Sequence, residues 1–213
     1  TKAYQKTEHA LAVKNSFIKS IKHEIRTPLN GIVGFSQVLT SMLYDKEEYK
    51  HMTDVIIDKS NQLTKIIDDV LYASDIQNIP VNLESVNIGD VIVDVSANYR
   101  GLLPKDGEMI VTPDSSDIMA TTDRTLLAKA LTLVVDNAVK FAGNSLITIA
   151  ARQDDSHTEI TVSDCGKGIP KDKSEWVFEE FTKVDDFTQG TGLGLAICRE
   201  LVKRLHGSIY IDT

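Results

Sequence analysis

An apolar stripe of helical spacing is the feature that most restricts how this chain can fold. Between residues 17 and 42, apolar side chains recur every three or four positions, at Phe17, Ile21, Ile25, Leu29, Ile32, Phe35, Leu39 and Met42. This spacing places them on one face of an α-helix. The pattern predicts one helix over residues 1–43. We expect a bend at Pro28, because proline lacks a backbone donor and crowds the carbonyl of Glu24.

A second stripe follows a short polar turn at residues 44–48. It predicts a helix through about Ser74, and its apolar positions are Tyr49, Met52, Ile56, Leu63, Ile66 and Val70. Two helices joined by a short turn form an antiparallel hairpin. Because a hairpin buries only one seam, stripes of this length favour a second pairing. We therefore predict a four-helix bundle across a homodimer formed by residues 1–76.

Beyond residue 76 the pattern changes to a mixture of helices and strands. Periodicity is lost over residues 75–82, which include Pro80, so we predict a linker at 77–82 and a second domain at 83–213. The expected helices cover residues 88–100, the segment from an Asp123 cap to about Phe141, and residues 193–205. The expected strands cover residues 108–112, 146–152, 159–163 and 208–211.

Composition restricts the class of protein and its partners. Of the 213 residues, 42% are hydrophobic and 25% are charged, which is enough apolar material for a core and excludes a disordered chain. The net charge of −8 argues against nucleic acid as a partner, since its backbone requires clustered Lys and Arg. No apolar run approaches the roughly 20 residues of a membrane helix, so we expect no membrane contact from this chain. The chain begins abruptly within a polar helical run, which predicts a fragment of a longer protein.

His23 lies on the opposite side of the first predicted helix from the apolar stripe. It is two residues from both Ile21 and Ile25, about 200° around the helix from each at about 100° per residue. A single exposed histidine is most often an ordinary surface residue, but here Glu24 follows directly and Thr27 lies one turn on. A nucleophilic imidazole needs one free nitrogen and one protonated nitrogen, an arrangement that a carboxylate favours. The segment is therefore a candidate nucleophilic site with a hydroxyl that can position a water.

Two glycine motifs and one polar helix face indicate a nucleotide pocket. The run Asp164–Pro170 places an aspartate, which can accept from an amino group, beside glycines that let the backbone approach a flat ring. The run Gln189–Leu195 has three alternate glycines before a predicted helix, which suits amides facing phosphates. No strand–helix–strand unit follows it, so a Rossmann loop is disfavoured. Asn137 and Lys140 share a helix face, where an amide oxygen can bind Mg²⁺ and a lysine can neutralise phosphate.

Both regions resemble one protein family, the sensor histidine kinases of two-component systems. The segment Phe17–Asn30 resembles their H-box, and residues 83–213 resemble the ATP-binding domain that they share with Hsp90-like chaperones, gyrases and mismatch-repair ATPases. The boxes of that domain correspond to Asp136–Phe141 (N-box), Asp164–Pro170 (G1), Val177–Phe181 (F-box) and Gly190–Gly194 (G2). The resemblance implies an α+β chain, in which a helical hairpin forms a dimeric four-helix bundle and an α/β-sandwich ATP-binding domain of the Bergerat type follows.

The resemblance also implies an activity and its catalytic residues. His23 would be autophosphorylated by ATP, with Glu24 as its acid/base partner. Thr27 would orient a hydrolytic water in a reverse, phosphatase step. The phosphoryl group would pass to an aspartate on a separate response-regulator receiver domain. The location would be cytoplasmic, within a membrane-anchored or cytosolic sensor, and transfer within or between subunits stays open.

ATP and Mg²⁺ are the implied ligands of the second domain. Asn137 would bind Mg²⁺, Lys140 would contact the phosphates and Phe141 would lie near the base. Asp164 would recognise the adenine amino group. The remaining implied positions of the nucleotide site are Gly166, Gly168, Gly190, Gly192, Leu193 and Gly194.

The sequence departs from the family pattern at three places and leaves two other functions open. Leu133 stands four residues before Asn137, where the family most often has a second Asn, so we expect slow turnover that Leu133→Asn raises. The short segment between Phe181 and Gly190 predicts a small lid, and the family's final turn and strand are missing after residue 211. The alternatives are an Hsp90/gyrase-type ATPase clamp, which leaves the first 75 residues without a role, and a kinase-impaired dimer module that only binds a regulator.

Overall fold

The computed structural model describes residues 21, 24–39, 46–99, 101–103, 107–112, 117–143, 146–184 and 191–212. His23, Gly190, the segment before residue 21 and the predicted lid at 185–190 lie outside the described residues. The chain divides into two compact units. One is formed by Thr1–Asp75 with Asp185–Leu193, and the other by Ile76–Val184 with Gly194–Thr213.

Two consecutive helices and the short segment 191–193 make up most of the described part of the first unit. Helix α1 covers residues 24–39 and is helical on both sides of Pro28, whose side chain is fully buried. Helix α2 covers Lys46–Asp75 and carries acidic residues in its first turn, where they complement the positive end of the helix dipole. The helices approach closely at Gly31, where an added Cβ would lie 3.3 Å from Cγ of Lys59. The stem of Lys59 therefore occupies the gap that the glycine leaves in the seam.

The predicted apolar seam of the first unit is only partly covered. Ile66 is buried, with 3% of its surface exposed, whereas Leu29 is 44% exposed and Tyr49 is 37% exposed. On α2, large apolar side chains outside the predicted stripe are also exposed, namely Ile57, Ile67 and Leu71. Contacts within one chain thus leave several large apolar side chains of the two helices exposed.

Two small sheets and three α-helices form the described part of the second unit. Strands β1 (Glu84–Asn87) and β3 (Met119–Thr122) pair antiparallel. Strand β4 (Ile147–Gln153) is central in the other sheet, parallel to β2 (Met109–Val111) and antiparallel to β5 (Thr158–Asp164). The helices are α3 (Ile88–Ala97), α4 (Arg124–Phe141) and α5 (Gly194–Arg204). Short 3₁₀ turns cover Ile76–Asn78, Lys171–Lys173 and Trp176–Phe178.

One core joins the helices to the sheet. Alternate residues of β4 are buried, which puts one face of that strand in the core. Ile92 of α3, Val135 of α4 and Ile149 of β4 are fully buried within the same cluster. Helix α4 contacts both α3 and α5. This packing of helices against a sheet is the α/β arrangement that the sequence predicted for the second domain.

Local capping explains where α4 begins. Oδ1 of Asp123 accepts from the N–H of Leu126 at 3.0 Å, and Oδ2 accepts from the N–H of Asn82 at 2.8 Å. Burial acts to raise the pKa of Asp123, but these backbone donors hold it below its usual value. The sequence-based prediction of an Asp123 cap is therefore correct.

The strand predictions were right for some segments and wrong for others. β2, β4 and β5 agree with their predicted positions to within about two residues. Strands β1 and β3 were not predicted. The predicted strand at 208–211 is wrong, because that segment forms no backbone ladder with a described strand. It meets the sheet through a side chain, since the hydroxyl of Tyr210 donates to Glu159 of β5.

Candidate functional site

The described part of the predicted phosphoacceptor segment lies at the start of α1. Glu24 is half-buried, and Thr27 is exposed one turn further on. His23 itself lies outside the described residues. The structure therefore places the predicted acid/base partner and the water-positioning hydroxyl on one helix.

The N-box residues occupy the last two turns of α4. Asn137 is half-buried, and Lys140 is exposed one turn beyond it. The ammonium of Lys140 lies 4.9 Å from the centroid of the Phe141 ring. The ammonium of Lys167 lies 5.6 Å from the same centroid, and sequence reasoning did not single out this residue. Two cationic groups therefore flank one aromatic ring, an arrangement that suits an anionic, ring-bearing ligand.

The G1 loop meets the end of α4 at Gly166. The N–H of Gly166 donates to Oδ1 of Asp164 at 2.8 Å. A Cβ on Gly166 would lie 2.4 Å from the carbonyl oxygen of Phe141 and 2.8 Å from that same Oδ1. Glycine is needed here because no other residue fits such an approach to backbone. Gly168 has a φ of 67°, a left-handed conformation that also favours glycine.

These contacts bring Phe141, Asp164 and Gly166 together at one edge of the second unit. Asp164 is exposed at the end of β5, and its carboxylate is oriented by the loop amide. The arrangement can present a fixed acceptor and a flat backbone surface beside an aromatic ring. Such a surface can hold a planar base that carries an amino group.

The G2 residues are described only at the C-terminal end of their loop. Gly192 has a φ of 71°, and the N–H of Leu193 donates to Oγ1 of Thr191 at 3.2 Å. Leu193 is 1% exposed. Gly194 begins α5. Because helix N-termini present free amides, this start of α5 can bind anions.

Leu133 has a packing role that the sequence comparison did not reveal. Its side chain is 4% exposed. Its Cδ2 lies 3.8 Å from where a Cβ on Gly194 would stand, so Leu133 faces the first turn of α5. The position that the family most often gives to asparagine is therefore an apolar contact between α4 and α5 in this chain.

Tyr99 is a second residue near the N-box that sequence reasoning missed. Its hydroxyl donates to Oδ1 of Asp136 at 2.6 Å and lies 3.3 Å from the carbonyl oxygen of Thr132. Burial, together with the hydrogen bond to the negative carboxylate, raises the pKa of Tyr99 well above its usual value. Tyr99 therefore stays protonated and ties the end of α3 to the N-box helix. No local sequence signal marks it, because the contact spans 37 residues.

The F-box aromatic side chain Phe178 is part of the core. It is 3% exposed, and the guanidinium of Arg199 on α5 lies 5.4 Å from its ring centroid. Phe181 has a φ of 65°, which is unusual for a bulky residue.

Within the described part of the chain, metal-ligating side chains do not cluster. No group of three or more His, Cys, Asp or Glu residues is placed to hold an ion there. Mg²⁺ commonly binds through few protein oxygens together with substrate phosphates, so an amide such as that of Asn137 fits a metal that arrives with the nucleotide. Among the described helices, none is both long enough and apolar enough to span a bilayer.

Two family models match the chain. Residues 122–213 match the histidine kinase-, DNA gyrase B- and HSP90-like ATPase, and residues 13–79 match the His Kinase A (phospho-acceptor) domain. The chain is also 31% identical over 225 residues to the autoinducer 2 sensor kinase/phosphatase LuxQ of Vibrio vulnificus strain YJ016. That alignment covers 99% of this chain and 26% of the relative, so the chain spans about a quarter of the length of the curated relatives it matches.

Two solved histidine kinase structures are similar to this chain. Full-length ShkA in complex with AMPPNP has a TM-score of 0.65 and 25% identity, covering 93% of this chain and 42% of that one. Histidine kinase ThkA in complex with the response regulator protein TrrA has a TM-score of 0.75, covering 100% and 63%. Its identity of 23% supports the fold alone. The fold and the two matched domains define a phospho-acceptor helical region followed by an α/β ATPase domain. The chain belongs to the sensor histidine kinases, and it contains their histidine kinase core domains.

Proposed function

We propose that this chain is an ATP-dependent protein-histidine kinase core, in which His23 is autophosphorylated and then donates its phosphoryl group to a response-regulator aspartate. The observation that carries the proposal is the approach of Gly166 to Phe141 and Asp164, which forms a base-binding surface beside two ammonium groups. The match of residues 13–79 to a phospho-acceptor domain supports His23 as the acceptor. The AMPPNP bound to ShkA supports ATP as the donor.

Each residue of the nucleotide site has a role that follows from its chemistry. The N–H of Gly166 donates to Oδ1 of Asp164, so Oδ2 is the oxygen that accepts from the adenine amino group. Phe141 lies beside the base. Lys140 neutralises phosphate charge from the exposed end of α4, and Gly168 gives the G1 loop its left-handed turn. The second loop is the proposed phosphate-contacting segment, because its glycines would let the backbone approach the phosphates; its residues are Gly190, Gly192, Leu193 and Gly194.

Mg²⁺ would be held on the protein side by the amide oxygen of Asn137. When bound, the ion would offset the negative charge of the phosphates during transfer. Asn137 and Lys140 lie one turn apart, so one helix face presents a metal ligand and a cation to the same phosphates. Phosphoryl transfer depends on such positioning and charge neutralisation rather than on covalent chemistry by the pocket.

The acceptor side of the reaction belongs to the first domain, which we place at residues 1–76, with a linker at 77–82 and the ATP-binding domain at 83–213. Glu24 stabilises the charge that develops on the imidazole of His23 during attack. Thr27, exposed on α1, orients a water for hydrolysis of the phosphohistidine. The description of LuxQ as a kinase/phosphatase supports both the phosphorylation step and the phosphatase step.

A homodimer and a response regulator are the proposed partners. The exposed apolar residues of α2, including Ile57, Ile67 and Leu71, supply surface that a four-helix bundle would cover. The match of residues 13–79 to a phospho-acceptor domain supports a receiver domain as the second partner, because the phosphoryl group on His23 needs an acceptor. A cytoplasmic location stays a prediction, with which the free thiols of Cys165 and Cys198 agree.

Incubation with γ-labelled ATP tests the proposed function. A histidine kinase gives acid-labile, base-stable label on the protein, and the label is lost in His23→Gln. ATP hydrolysis without label would indicate the ATPase clamp, and neither label nor hydrolysis would indicate the regulator-binding module. A mixed dimer of His23→Gln and Asn137→Ala chains then distinguishes transfer within a subunit from transfer between subunits. Label appears in this dimer only if the phosphoryl group passes from one subunit to the other.

A further inference from the structure

The segment that joins the two units is bonded to α5 at its start. Arg204 donates from Nη1 to the carbonyl of Gln77 at 2.8 Å, and from Nη2 to the carbonyl of Ile79. A second bond supports the same contact, since Nε2 of Gln77 donates to Oε1 of Glu200 at 2.7 Å. Arg204 and Glu200, one turn apart on α5, therefore bond to two residues of the connecting segment, Gln77 and Ile79. We call these contacts the linker clamp.

The end of the linker is also bonded to the second unit. The N–H of Asn82 donates to Oδ2 of Asp123, the cap of α4. Two residues, Pro80 and Val81, separate this anchor from the linker clamp, and proline restricts the backbone between them. Ile76, just before the clamp, is 5% exposed. Residues that the sequence predicts to be a connector are thus held on the ATP-binding unit over nearly their whole length.

The geometry of Arg204 explains why an arginine serves this purpose. Carbonyls at the end of a helical turn lack intrahelical donors, and the 3₁₀ turn at Ile76–Asn78 leaves such carbonyls open. Helix α2 has no basic residue in its last turn to serve them. A planar guanidinium can reach two carbonyls at once, which a lysine ammonium cannot do in the same fork. Its Nε is buried without a hydrogen-bond partner among the described residues. The two bonds to carbonyl oxygens therefore offset the cost of removing the guanidinium from water.

We propose that Arg204 is a positioning residue for phosphoryl transfer, which fixes the linker on the ATP-binding unit and so keeps the tether to the phosphoacceptor helices short. This inference rests on the proposed kinase function. With the clamp closed, the free tether after α2 is close to zero residues. With the clamp open, residues 76–81 are released, which gives a reach of up to about 20 Å at roughly 3.5 Å per residue.

A longer tether lowers the effective concentration of one domain at the other and loosens its orientation. Both effects reduce the frequency of productive encounters between bound ATP and His23. Nucleotide binding itself is separate, because Arg204 lies ten residues along α5 from Gly194, about 15 Å at 1.5 Å per residue. Loss of the clamp therefore lowers the rate of transfer while leaving nucleotide affinity unchanged.

The experiment compares Arg204→Ala and Arg204→Lys with Lys203→Ala in the whole chain. Lys203 is an exposed neighbour on α5, and its ammonium lies 3.9 Å from Oε2 of Glu200. Its removal matches the change in charge and leaves in place both the bonds of Arg204 and the bond from Gln77 to Oε1 of Glu200. Three quantities are measured for each protein: hydrogen exchange over residues 76–83, the dissociation constant of a fluorescent ATP analogue, and the rate of His23 labelling at saturating ATP.

For Arg204→Ala we expect exchange over residues 76–83 to quicken by about tenfold or more as the segment opens locally. Labelling should slow by about three- to tenfold, with nucleotide affinity within twofold of the unaltered chain. Arg204→Lys should lie closer to Arg204→Ala than to the unaltered chain, and Lys203→Ala should match the unaltered chain. If Arg204→Ala does not fold, the comparison of Arg204→Lys with Lys203→Ala decides.

Unchanged exchange over the linker would overturn the clamp, and faster exchange with an unchanged or higher labelling rate would overturn its positioning role. A fall in nucleotide affinity that parallels the fall in rate would indicate a general structural effect instead. Failure of the proposed function is separate, because then the unaltered chain itself acquires no label on His23.

Discussion

Gly166 lies at the closest approach between the G1 loop and the N-box helix, so Gly166→Ala tests the nucleotide site directly. The new Cβ would stand 2.4 Å from the Phe141 carbonyl oxygen, whereas real Cβ contacts are essentially never shorter than 3.0 Å. The neighbours cannot yield easily. The carbonyl is backbone, and the other close atom, Oδ1 of Asp164, is already bonded to the loop amide. The loop must therefore move away from α4 by at least about 0.6 Å.

The cost of this movement can be bounded. Inserting a carbon into a packed site typically costs about 1–3 kcal/mol. For a unit of this size we expect the melting temperature to fall by about 3–10 °C. The effect on ligand binding should be larger, because the carboxylate of Asp164 moves relative to the base. Loss of one hydrogen bond to a charged group corresponds to roughly 10- to 100-fold weaker binding of ATP.

Titration with a fluorescent ATP analogue and a thermal melt measure the two quantities. Gly101→Ala is the matched control, because no atom of the described residues lies within 4 Å of its added Cβ and its φ is not left-handed. We expect the control to bind and to melt like the unaltered chain. If Gly166→Ala also binds ATP with unaltered affinity and melts within about 1 °C of the parent, the close approach does not exist and the reasoning on the site is refuted.

Three further substitutions test the surroundings of the site. Tyr99→Phe removes the donor to the carboxylate on α4, and we expect a loss of about 1–3 kcal/mol in the free energy of urea unfolding, with an unchanged midpoint counting against the contact. Asp123→Ala should cost about 1 kcal/mol near neutral pH through the lost cap. Because the pKa of Asp123 is lowered on folding, its contribution is complete above about pH 4 and is lost as the pH falls through the folded-state pKa. The difference in urea stability between this variant and the parent should therefore shrink toward pH 2, and a constant difference would contradict the assignment. Leu133→Asn should raise the labelling rate, as the family pattern predicts, and lower the melting temperature because the amide is buried; an unchanged or lower rate would remove any catalytic role of that position.

Elements with a strong period could be predicted from the sequence. The bounds of α4 and α5 and the end of α2 follow from apolar spacing, together with the Asp123 cap of α4. The start of α2 does not, because the helix begins at Lys46, within the predicted turn at 44–48. The hairpin of β4 and β5 follows from alternation. Strands β1 and β3 carry no such signal, because each has only four residues and neither Glu84–Asn87 nor Met119–Thr122 alternates between apolar and polar side chains. They are strands because each pairs with the other across more than 30 residues. Residues 208–211 are the opposite case, because they alternate like a strand but contact the sheet only through a side chain among the described contacts. Strand pairing can therefore occur without a local pattern, and a local pattern can occur without strand pairing.

The same division applies to the candidate site. Asp164, Gly166 and Asn137 could be named from the sequence because their chemistry depends on spacing within one loop or one helix turn. Lys167 and Arg204 could not, since each matters through a partner distant in the chain: the Phe141 ring for one and the linker carbonyls for the other. A motif therefore identifies the groups that can touch a nucleotide, while the residues that hold those groups in position become visible only in three dimensions.

The N-box helix shows what this means for the reaction. Upstream of the residues proposed to meet ATP, α4 is fixed from two sides through residues that lie outside every motif. Tyr99 bonds to it from the end of α3, and Leu133 packs toward the first turn of α5. The buried thiol of Cys198, whose pKa burial raises to about 12, stays protonated and lies 3.4 Å from the carbonyl oxygen of Ala130. Because Asn137 and Lys140 follow on the same rigid helix, a small displacement at these contacts moves the metal ligand and the phosphate cation together. The rate of transfer to His23 should therefore depend on the packing of α4 as well as on the N-box itself.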